Sequence, residues 1–350
     1  MGMEFKAIGR YSDGRTIYSV RGDVPAYGYI AIGVIDRGTN VLQVRPTTIC
    51  PQNCVFCSVD AGIKSSNRWA EYIVEPDIIV RGIEEATVVK GHGVEALIDT
   101  IGDALTYPYL VELVYMLKKI PGVSSVAIET HGALLSKQLI DRLNEAGLDR
   151  INLSIDTLNS EKAKMLYGIP YYDLGRVVKL AEYIVKETNI DLHVTPLWLP
   201  GLNDEDVENV VKWALRIGAG KKWPPVTIQK PIKHKYGRWP SGVRKVSWSE
   251  FWNWLERLER KLGTRLKWNM DEWGMRYSKR INIGYRIGDV VAVNIVARGW
   301  VKGEYLGVTK ANPPRLIGLS IFGKKPSFNE TLYAKITSVY DSIVLGRILS

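Results

Sequence analysis

The stretch VLQVRPTTICPQNCVFC, residues 41–57, starts as a β-strand and ends in the three cysteines of the chain, Cys50, Cys54 and Cys57. VLQVRP is short and apolar, which is the pattern of a buried strand. Similar runs recur up to about residue 231, and amphipathic helical stretches separate them. Such alternation is typical of βα units around a parallel sheet. About six units fit, too few for a closed eight-fold barrel, so we predict an α/β fold with a partial (βα)6 barrel.

The predicted strands of this region run into turn or loop residues. They are VLQVRP (41–46), VEALIDTIGD (94–103), SSVAIETHG (124–132), RINLSIDTLN (150–159), IDLHVTPLWLPG (190–201) and PVTIQKP (225–231). Ser136 is predicted to cap the helix after the third of these strands, and Gly147 to end it. Ligands collect at the carboxyl ends of parallel strands, so we expect the functional site at these ends.

The rest of the chain divides by pattern. Residues 1–40 are predicted to form an N-terminal β-hairpin extension and residues 41–235 the partial barrel. Residues 236–280 form a basic, aromatic linker with one helix, for which Ser247 and Glu250 provide a capping box. Residues 281–350 read as short alternating strands with glycine turns, which predicts a small all-β barrel of the OB type.

Composition favours certain classes of protein and partner. The formal charge of +10 and the pI of about 9.3 favour a polyanionic partner. No apolar run approaches the roughly 20 residues of a membrane helix, and the N-terminus lacks the apolar core of a secretory signal, so we predict a cytoplasmic protein. The low count of four glutamines, three cysteines and six methionines fits a protein adapted to heat.

Three cysteines within eight residues cannot form a disulfide framework and indicate metal ligation in a reducing compartment. A structural zinc site needs a fourth ligand, and the histidines lie far along the chain at His92, His131, His193 and His234. Three thiolates can instead hold a [4Fe–4S] cluster and leave its fourth iron open. Structural zinc stays the alternative at this point.

The spacing Cys50-x3-Cys54-x2-Cys57, with Phe56 before the last cysteine, resembles the signature loop of radical S-adenosylmethionine (radical SAM) enzymes, including uncharacterised archaeal members. IGDALTYPYL resembles the family element that holds the methionine amino group, with an aspartate, Asp103, in place of the usual glutamate. Three further segments resemble later strand ends of the family in the expected order: ETHG (129–132), INLSIDTLN (151–159) and WLPGLND (198–204). The resemblance covers about residues 41–231.

This resemblance implies a [4Fe–4S] cluster held by Cys50, Cys54 and Cys57, with S-adenosylmethionine (SAM) bound at its open iron. It also implies an external one-electron donor such as a ferredoxin, and reductive cleavage of SAM to a 5'-deoxyadenosyl radical. The implied SAM contacts are Phe56 at the adenine, Gly102 and Asp103 at the methionine amino group, and Ser154 and Asp156 near the ribose or carboxylate.

Some polar side chains near the predicted site have alternative roles. Ser154 and Asp156 equally fit local roles, because Ser and Asp side chains readily bond to nearby backbone groups. His131 and Tyr107 lie near the predicted site and are candidates for moving protons, although a structural or substrate-positioning role is the favoured alternative for both.

The C-terminal segment resembles a TRAM domain, a small OB-like barrel of RNA-modifying enzymes, through GD-V, E-LG and LGRI elements between residues 281 and 350. This resemblance implies RNA, and tRNA above all, as the partner. Basic and aromatic side chains suit single-stranded or looped RNA. The candidates for RNA binding are Lys233, Lys235, Arg238, Trp239, Arg286, Arg298, Trp300 and Lys302.

The cysteine count also narrows the reaction. Sulfur insertion and auxiliary clusters need further cysteines, so carbon-centred chemistry such as C-methylation or rearrangement of RNA is the main hypothesis. One alternative is a radical SAM enzyme that acts on a peptide, a lipid or a small metabolite. Another is a non-catalytic iron–sulfur protein that binds or senses RNA.

Overall fold

The computed structural model describes residues 2–321 and 325–349. The chain forms two compact units. The first comprises Met1–Ile49, Ser66–Val126 and Tyr277–Ser350, and the second comprises Cys50–Ser65 and Ala127–Arg276. These units do not follow the four predicted segments, because the predicted barrel, residues 41–235, contributes to both of them.

The strands have the following bounds in chain order: β1 (Met3–Arg10), β2 (Thr16–Gly22), β3 (Gly33–Asp36), β4 (Val41–Arg45), β5 (Ala70–Val74), β6 (Val94–Ile98), β7 (Val123–Thr130), β8 (Arg150–Leu153), β9 (Asp191–Val194), β10 (Val290–Arg298), β11 (Glu304–Thr309), β12 (Leu316–Ser320), β13 (Thr331–Tyr340) and β14 (Ile343–Ile348). The helices are α1 (Pro76–Lys90), α2 (Leu110–Lys118), α3 (Lys137–Glu145), α4 (Ser160–Tyr167), α5 (Leu174–Glu187), α6 (Asp204–Ile217) and α7 (Trp248–Leu262). In the part of the chain that the structure describes, none of these helices combines the length and apolarity that a bilayer crossing requires.

The central sheet has the strand order β3–β4–β6–β7–β8–β9, and the boundary between the two units falls within β7. β4 pairs with β6, β7 with β8 and β8 with β9, all in parallel. Helices α2 to α6 lie between or after these strands in sequence. The predicted α/β class, with a parallel sheet built from βα units, is therefore confirmed.

The sixth predicted strand, PVTIQKP, is not a regular strand. Val226 and Gln229 each form a single parallel bridge, to Val194 and Leu197 respectively. Prolines bound this segment on both sides, and each lacks the N–H group that a ladder needs. The sheet direction therefore continues here through isolated contacts only.

The N-terminal extension is partly different from the prediction. β1 and β2 form the expected antiparallel hairpin, and β5, which sequence reasoning missed, adds to β2 in parallel. β3 also lies within residues 1–40, but it pairs antiparallel with β4 in the central sheet. All four residues of β3 are buried, so this strand is part of the core rather than of an extension.

Helix ends follow their predicted caps. The Ser136 hydroxyl accepts a hydrogen bond from Leu139 N at the start of α3. At the start of α7, Ser247 and Glu250 form the reciprocal capping box. Each cap satisfies backbone N–H groups that the first turn of a helix leaves without a partner.

Strands β10–β14 form a closed five-stranded barrel with the order β10–β11–β12–β14–β13. This confirms the predicted all-β barrel of the OB-like kind. The barrel belongs to the first compact unit and has partners within it. Ile343 forms a bridge with Gly28, and Arg315 forms a 2.7 Å ion pair with Glu85. The barrel is thus docked within its unit and is not a free tail.

Candidate active site

The cysteine loop, Cys50–Ser65, belongs to the second unit and is held there by α4. Asn53 N donates to Tyr167 O and Val55 N to Leu166 O, both at 2.9 Å. Gly168, just after α4, has a φ of 65°, and a Cβ at this position would lie 2.3 Å from Asn53 O. Glycine is therefore required where the end of α4 meets the backbone of the loop.

The three cysteines of the loop are not joined by a disulfide, and their thiols share one environment. Cys54 is buried, with 6% of its surface exposed, and Cys50 and Cys57 are half-buried. Burial raises the pKa of Cys54 well above its ordinary value, and the negative charges of Cys50 and Cys57 raise it further. Ala61 N donates to Cys57 Sγ at 3.2 Å. Three thiolates so close together need a cationic centre, so this donor set fits an iron–sulfur cluster.

Single-ion sites are a separate matter. Within residues 2–321 and 325–349, no group of three His, Cys, Asp or Glu side chains is arranged to close on one metal ion.

His131 lies beside the buried thiol, at the carboxyl end of β7. Its Nε2 is 4.0 Å from Cys54 Sγ, and its Nδ1 is 3.1 Å from Ser154 O. The ring centroid of Phe56 is 6.2 Å from that of His131. The structure thus brings together three of the predicted residues, Phe56, His131 and Cys54.

Asp156 follows β8 and is fully buried. Its Oδ1 accepts a hydrogen bond of 2.7 Å from Leu197 N, whereas Oδ2 has no hydrogen-bond partner among the residues that the structure describes. Burial raises the pKa of Asp156 above its ordinary value, and the neighbouring His131 acts in the opposite direction. A buried acceptor without a partner is costly, so this oxygen is suited to a ligand that brings a donor.

Ser154 has a hydrogen-bond partner within the fold. Its hydroxyl lies 2.9 Å from the Thr195 hydroxyl, on the neighbouring strand end. This partner is a side chain and not a nearby backbone group, so the place of Ser154 near the ribose or carboxylate stays a prediction.

Gly102 and Asp103 lie in the first unit, where they pack on the backbone of Ile49. Asp103 N donates to Ile49 O at 2.9 Å, and a Cβ on Gly102 would lie 2.1 Å from that same oxygen. Asp103 Oδ1 accepts from Leu105 N at 2.9 Å and so caps the short turn that follows. Their predicted role at the methionine amino group stays a prediction.

Tyr107 is a correction to the sequence-based candidates. Its ring is buried, and its hydroxyl donates a 2.6 Å hydrogen bond to Val74 O. Burial raises the pKa of Tyr107 far above its ordinary value. A phenol that keeps its proton and already has a backbone partner is unsuited to proton transfer, so Tyr107 has a structural role.

A buried ion pair near this region was missed. Arg68 pairs with Glu71 at 2.8 Å, and it donates to Thr48 O and to Ile101 O. Thr48 Oγ1 donates to Glu71 at 2.5 Å. The pair therefore fixes the residues that precede the cysteine loop and the Gly-Asp element in sequence. Glu71 lies only three residues after Arg68 in the sequence, whereas Thr48 and Ile101 become neighbours of Arg68 only in the fold.

The candidates for RNA binding near residue 235 divide into two groups. Lys233 and Lys235 are exposed and stay candidates. Trp239 is half-buried and donates from Nε1 to Val243 O at 2.7 Å. Arg238 is a correction, because its guanidinium donates to Cys54 O, Asp60 and Ala61 O. Its donors are directed to the cysteine loop and are not available to RNA.

The candidates in the barrel divide in the same way. Trp300 is 9% exposed and lies beneath Arg68, so its prediction as a base-stacking residue is wrong. Arg298 is half-buried with its guanidinium over the Trp69 ring. Arg286 and Lys302 are exposed and stay candidates.

Strand β13 carries an exposed face that sequence reasoning missed. Tyr333 is 63% exposed, and Lys335, two residues later on the same side, is also exposed. Lys335 lies opposite the exposed Arg347 of β14. Ala334 and Ile336, the residues that follow Tyr333 and Lys335, are buried, so the alternation is visible in the sequence TLYAKI. The face combines an aromatic ring with cations, which are the groups that single-stranded nucleic acid requires.

Comparisons with known proteins agree on one family. The model of the radical SAM superfamily matches residues 44–214. The uncharacterized protein MJ0103 of Methanocaldococcus jannaschii is 33% identical over an alignment that covers 96% of this chain and 81% of that protein. The TRAM-like resemblance of residues 281–350 lies outside the matched range and stays a prediction.

More distant relatives cover less. GTP 3',8-cyclase of Chlorobaculum tepidum is 28% identical over 50% of this chain, and the chain spans about half of the length of that enzyme. Among solved structures, the FeFe-hydrogenase maturase HydG from Carboxydothermus hydrogenoformans has 17% identity and a TM-score of 0.50, over 67% of this chain and 55% of that one. This structural likeness concerns the fold alone.

Proposed function

This chain belongs to the radical SAM superfamily, and from that premise we propose that it modifies RNA, with tRNA as the principal substrate. Its cofactors are SAM and a [4Fe–4S] cluster, which together supply the 5'-deoxyadenosyl radical when bound. Cys50, Cys54 and Cys57 are the residues that would hold the cluster. We propose an external one-electron donor of the ferredoxin kind and carbon-centred chemistry, since the chain has no further cysteine for an auxiliary cluster.

Two side chains of this protein contribute beside the thiols. His131 Nε2 lies 4.0 Å from Cys54 Sγ, and because Nδ1 faces Ser154 O, the imidazolium form would direct its Nε2 proton at the sulfur and stabilise the ligand as a thiolate. Asp156 Oδ2 accepts a hydrogen bond from a bound ligand, because Leu197 already occupies the other oxygen. Asp156 is buried and His131 is half-buried, so the carboxylate is the better shielded of the two groups from water.

The observation that carries the RNA proposal is the exposed face of β13. Tyr333 offers a flat ring for a base, and Lys335 and Arg347 lie where they would meet phosphates. Stacking of one base on an aromatic side chain contributes about 1–3 kcal/mol. Residues 281–350 contain nine basic and four acidic residues, and residues 230–245 contain six basic residues and no acidic one. Both segments therefore attract a polyanion.

A second candidate function is supported by the match to GTP 3',8-cyclases. It would make the substrate a small nucleotide rather than an RNA chain. That match covers half of this chain and half of the cyclase, so we place this function second.

Binding measurements separate the two candidates. We expect the full-length protein, reconstituted anaerobically, to bind tRNA with an affinity that falls by about 0.7 to 0.9 log units per phosphate contact for each tenfold rise in salt. Lys335→Glu should weaken tRNA binding at least tenfold, whereas Glu112→Gln, on a helix far from the barrel in sequence, serves as the control. Binding of GTP with no measurable binding of tRNA would favour the nucleotide substrate.

The reaction itself is tested on RNA from a strain that lacks the protein. Incubation of that tRNA with the enzyme, SAM and a reductant should yield 5'-deoxyadenosine and one new modified nucleoside detected by mass spectrometry. Formation of 5'-deoxyadenosine without any change in the tRNA nucleosides would contradict RNA modification while leaving the radical SAM chemistry intact.

A further inference from the structure

Arg238 lies far from the cysteine loop in sequence, yet its side chain donates hydrogen bonds to three residues of that loop. Its Nε donates to Cys54 O at 2.7 Å and its Nη2 to Ala61 O at 2.7 Å. Its Nη1 forms a 2.8 Å ion pair with Asp60. A planar guanidinium has fixed donor directions, so three bonds to three loop residues restrict the shape of the loop more than one ammonium group would.

The backbone at this position packs on the loop as well. Arg238 N donates to Cys57 O at 2.8 Å. A Cβ on Gly237 would lie 2.8 Å from Ser58 O and 3.0 Å from Cys57 O. The chain thus approaches the third cysteine so closely that only glycine fits before Arg238.

Asp60 connects this arginine to the sulfur of Cys57. Asp60 is almost fully buried and has a φ of 49°, a left-handed conformation that is costly for a residue other than glycine. The ion pair with Arg238 stabilises it there. Ala61, the next residue, donates its N–H to Cys57 Sγ at 3.2 Å. The pair therefore holds the turn that directs a hydrogen bond at one of the three thiols.

We infer that Arg238 is a positioning residue for the cysteine loop and a fixed positive charge that favours the reduced cluster. The reduction potential of an iron–sulfur cluster depends on its net charge, on hydrogen bonds to its sulfurs and on its exposure. Arg238 acts on the first two, because the guanidinium stays charged and the Asp60 turn presents Ala61 N. Asp60 contributes the opposite charge. The inference rests on the cluster that the family brings and not on RNA as the substrate.

The test is a redox titration of the reconstituted full-length protein, followed by the spectrum of the reduced cluster, in Arg238→Gln, Arg238→Lys and Asp60→Asn. We expect Arg238→Gln to lower the midpoint potential, because a cation is removed, and Asp60→Asn to raise it, because an anion is removed. Arg238→Lys keeps the charge and should keep most of the potential, but it should lose iron to a chelator several-fold faster. Arg244→Gln is the control, since Arg244 is an exposed arginine of the same segment that pairs with Glu250.

A purely structural role predicts a different pattern. Loosening of the loop would shift the potential in the same direction in Arg238→Gln and Asp60→Asn, and that result would overturn the inference, as would unchanged potentials in both. Should Arg238→Gln retain too little iron for titration, Asp60→Asn decides alone, since a raised potential supports the inference and a lowered or unchanged one contradicts it.

Discussion

The polar groups of the cysteine loop are paired within the fold, whereas those on the outer face of β13 are exposed to solvent. In the loop, Asn53, Asp60 and backbone N–H groups are paired with partners inside the same unit, and Cys54 is buried. The face of β13 instead leaves Tyr333 and Lys335 in solvent. The loop is therefore shaped in advance for a group of fixed geometry, whereas the β13 face suits a partner that adapts to it.

The largest effect should come from the loop. Cys54→Ala removes the buried thiol, and with only two cysteines left we expect no stable cluster and no cleavage of SAM. Iron and sulfide content after anaerobic reconstitution, and 5'-deoxyadenosine formation, are the measurements. Ser58→Ala, an exposed residue of the same loop, is the control and should retain both. An iron content in Cys54→Ala equal to that of the parent would contradict the assignment of Cys54 as a cluster ligand.

The next effect concerns a buried side chain in the connection between β10 and β11. Trp300→Ala should destabilise the protein by about 3–5 kcal/mol, because a buried indole leaves a cavity. Tyr333→Ala should cost less than about 1 kcal/mol, since its ring is mostly exposed. Urea denaturation of both variants measures the difference. Equal losses of stability in the two variants would mean that burial does not distinguish the positions of Trp300 and Tyr333.

A buried carboxylate in the barrel makes stability depend on pH. Burial raises the pKa of Glu304 from 4.5 to about 7, although the Tyr29 hydroxyl that bonds to it acts in the opposite direction. The unfolded chain therefore releases this proton near pH 4.5 and the folded protein near pH 7, so stability falls as the pH rises between these values. At about 1.4 kcal/mol per pH unit, a difference of about 2.5 units makes the loss at most about 3 to 4 kcal/mol.

Glu304→Gln tests this dependence, because glutamine keeps an acceptor for Tyr29 without the charge. Relative to the parent, the variant should gain free energy of unfolding between pH 5 and pH 8. Glu330→Gln, an exposed carboxylate of the same barrel, should run parallel to the parent. A constant difference between Glu304→Gln and the parent across this range would contradict the prediction.

The smallest effect sharpens the contrast on the outer face. Tyr333→Ala should weaken tRNA binding by about 1–3 kcal/mol, the contribution of one stacked base, while cluster content stays unchanged. Tyr115→Ala, an exposed tyrosine on α2, should leave tRNA binding as it is. Filter binding at several salt concentrations measures both variants. Unchanged affinity in Tyr333→Ala would mean that other residues make the RNA contacts, with Lys233 and Lys235 as the first candidates.

Much of the fold and part of the site follow from local sequence. Alternating βα patterns predicted the parallel sheet, and the polar residues at strand ends included His131 and Asp156, which lie near Cys54. Spacing within a few residues was sufficient for these features, because a parallel sheet brings its strand ends to one side.

The features that sequence reasoning missed depend on distant partners. Arg238 was assigned to RNA because basic residues surround it, but its partners lie in the cysteine loop. Trp300 was assigned to the surface, although Arg68 and the interior of the first unit cover it. Trp300 lies between β10 and β11, and its burial depends on Arg68, a residue distant in sequence, which composition alone does not reveal.

The contact between Arg238 and Cys54 spans 184 residues of sequence, and this separation has a consequence for biosynthesis. At about 5–20 residues per second, translation completes the loop roughly 10–40 s before its arginine is made. Through that interval the nascent thiols lack the guanidinium that shapes them. We therefore expect iron delivery to the finished polypeptide to be productive and delivery on the ribosome to be premature.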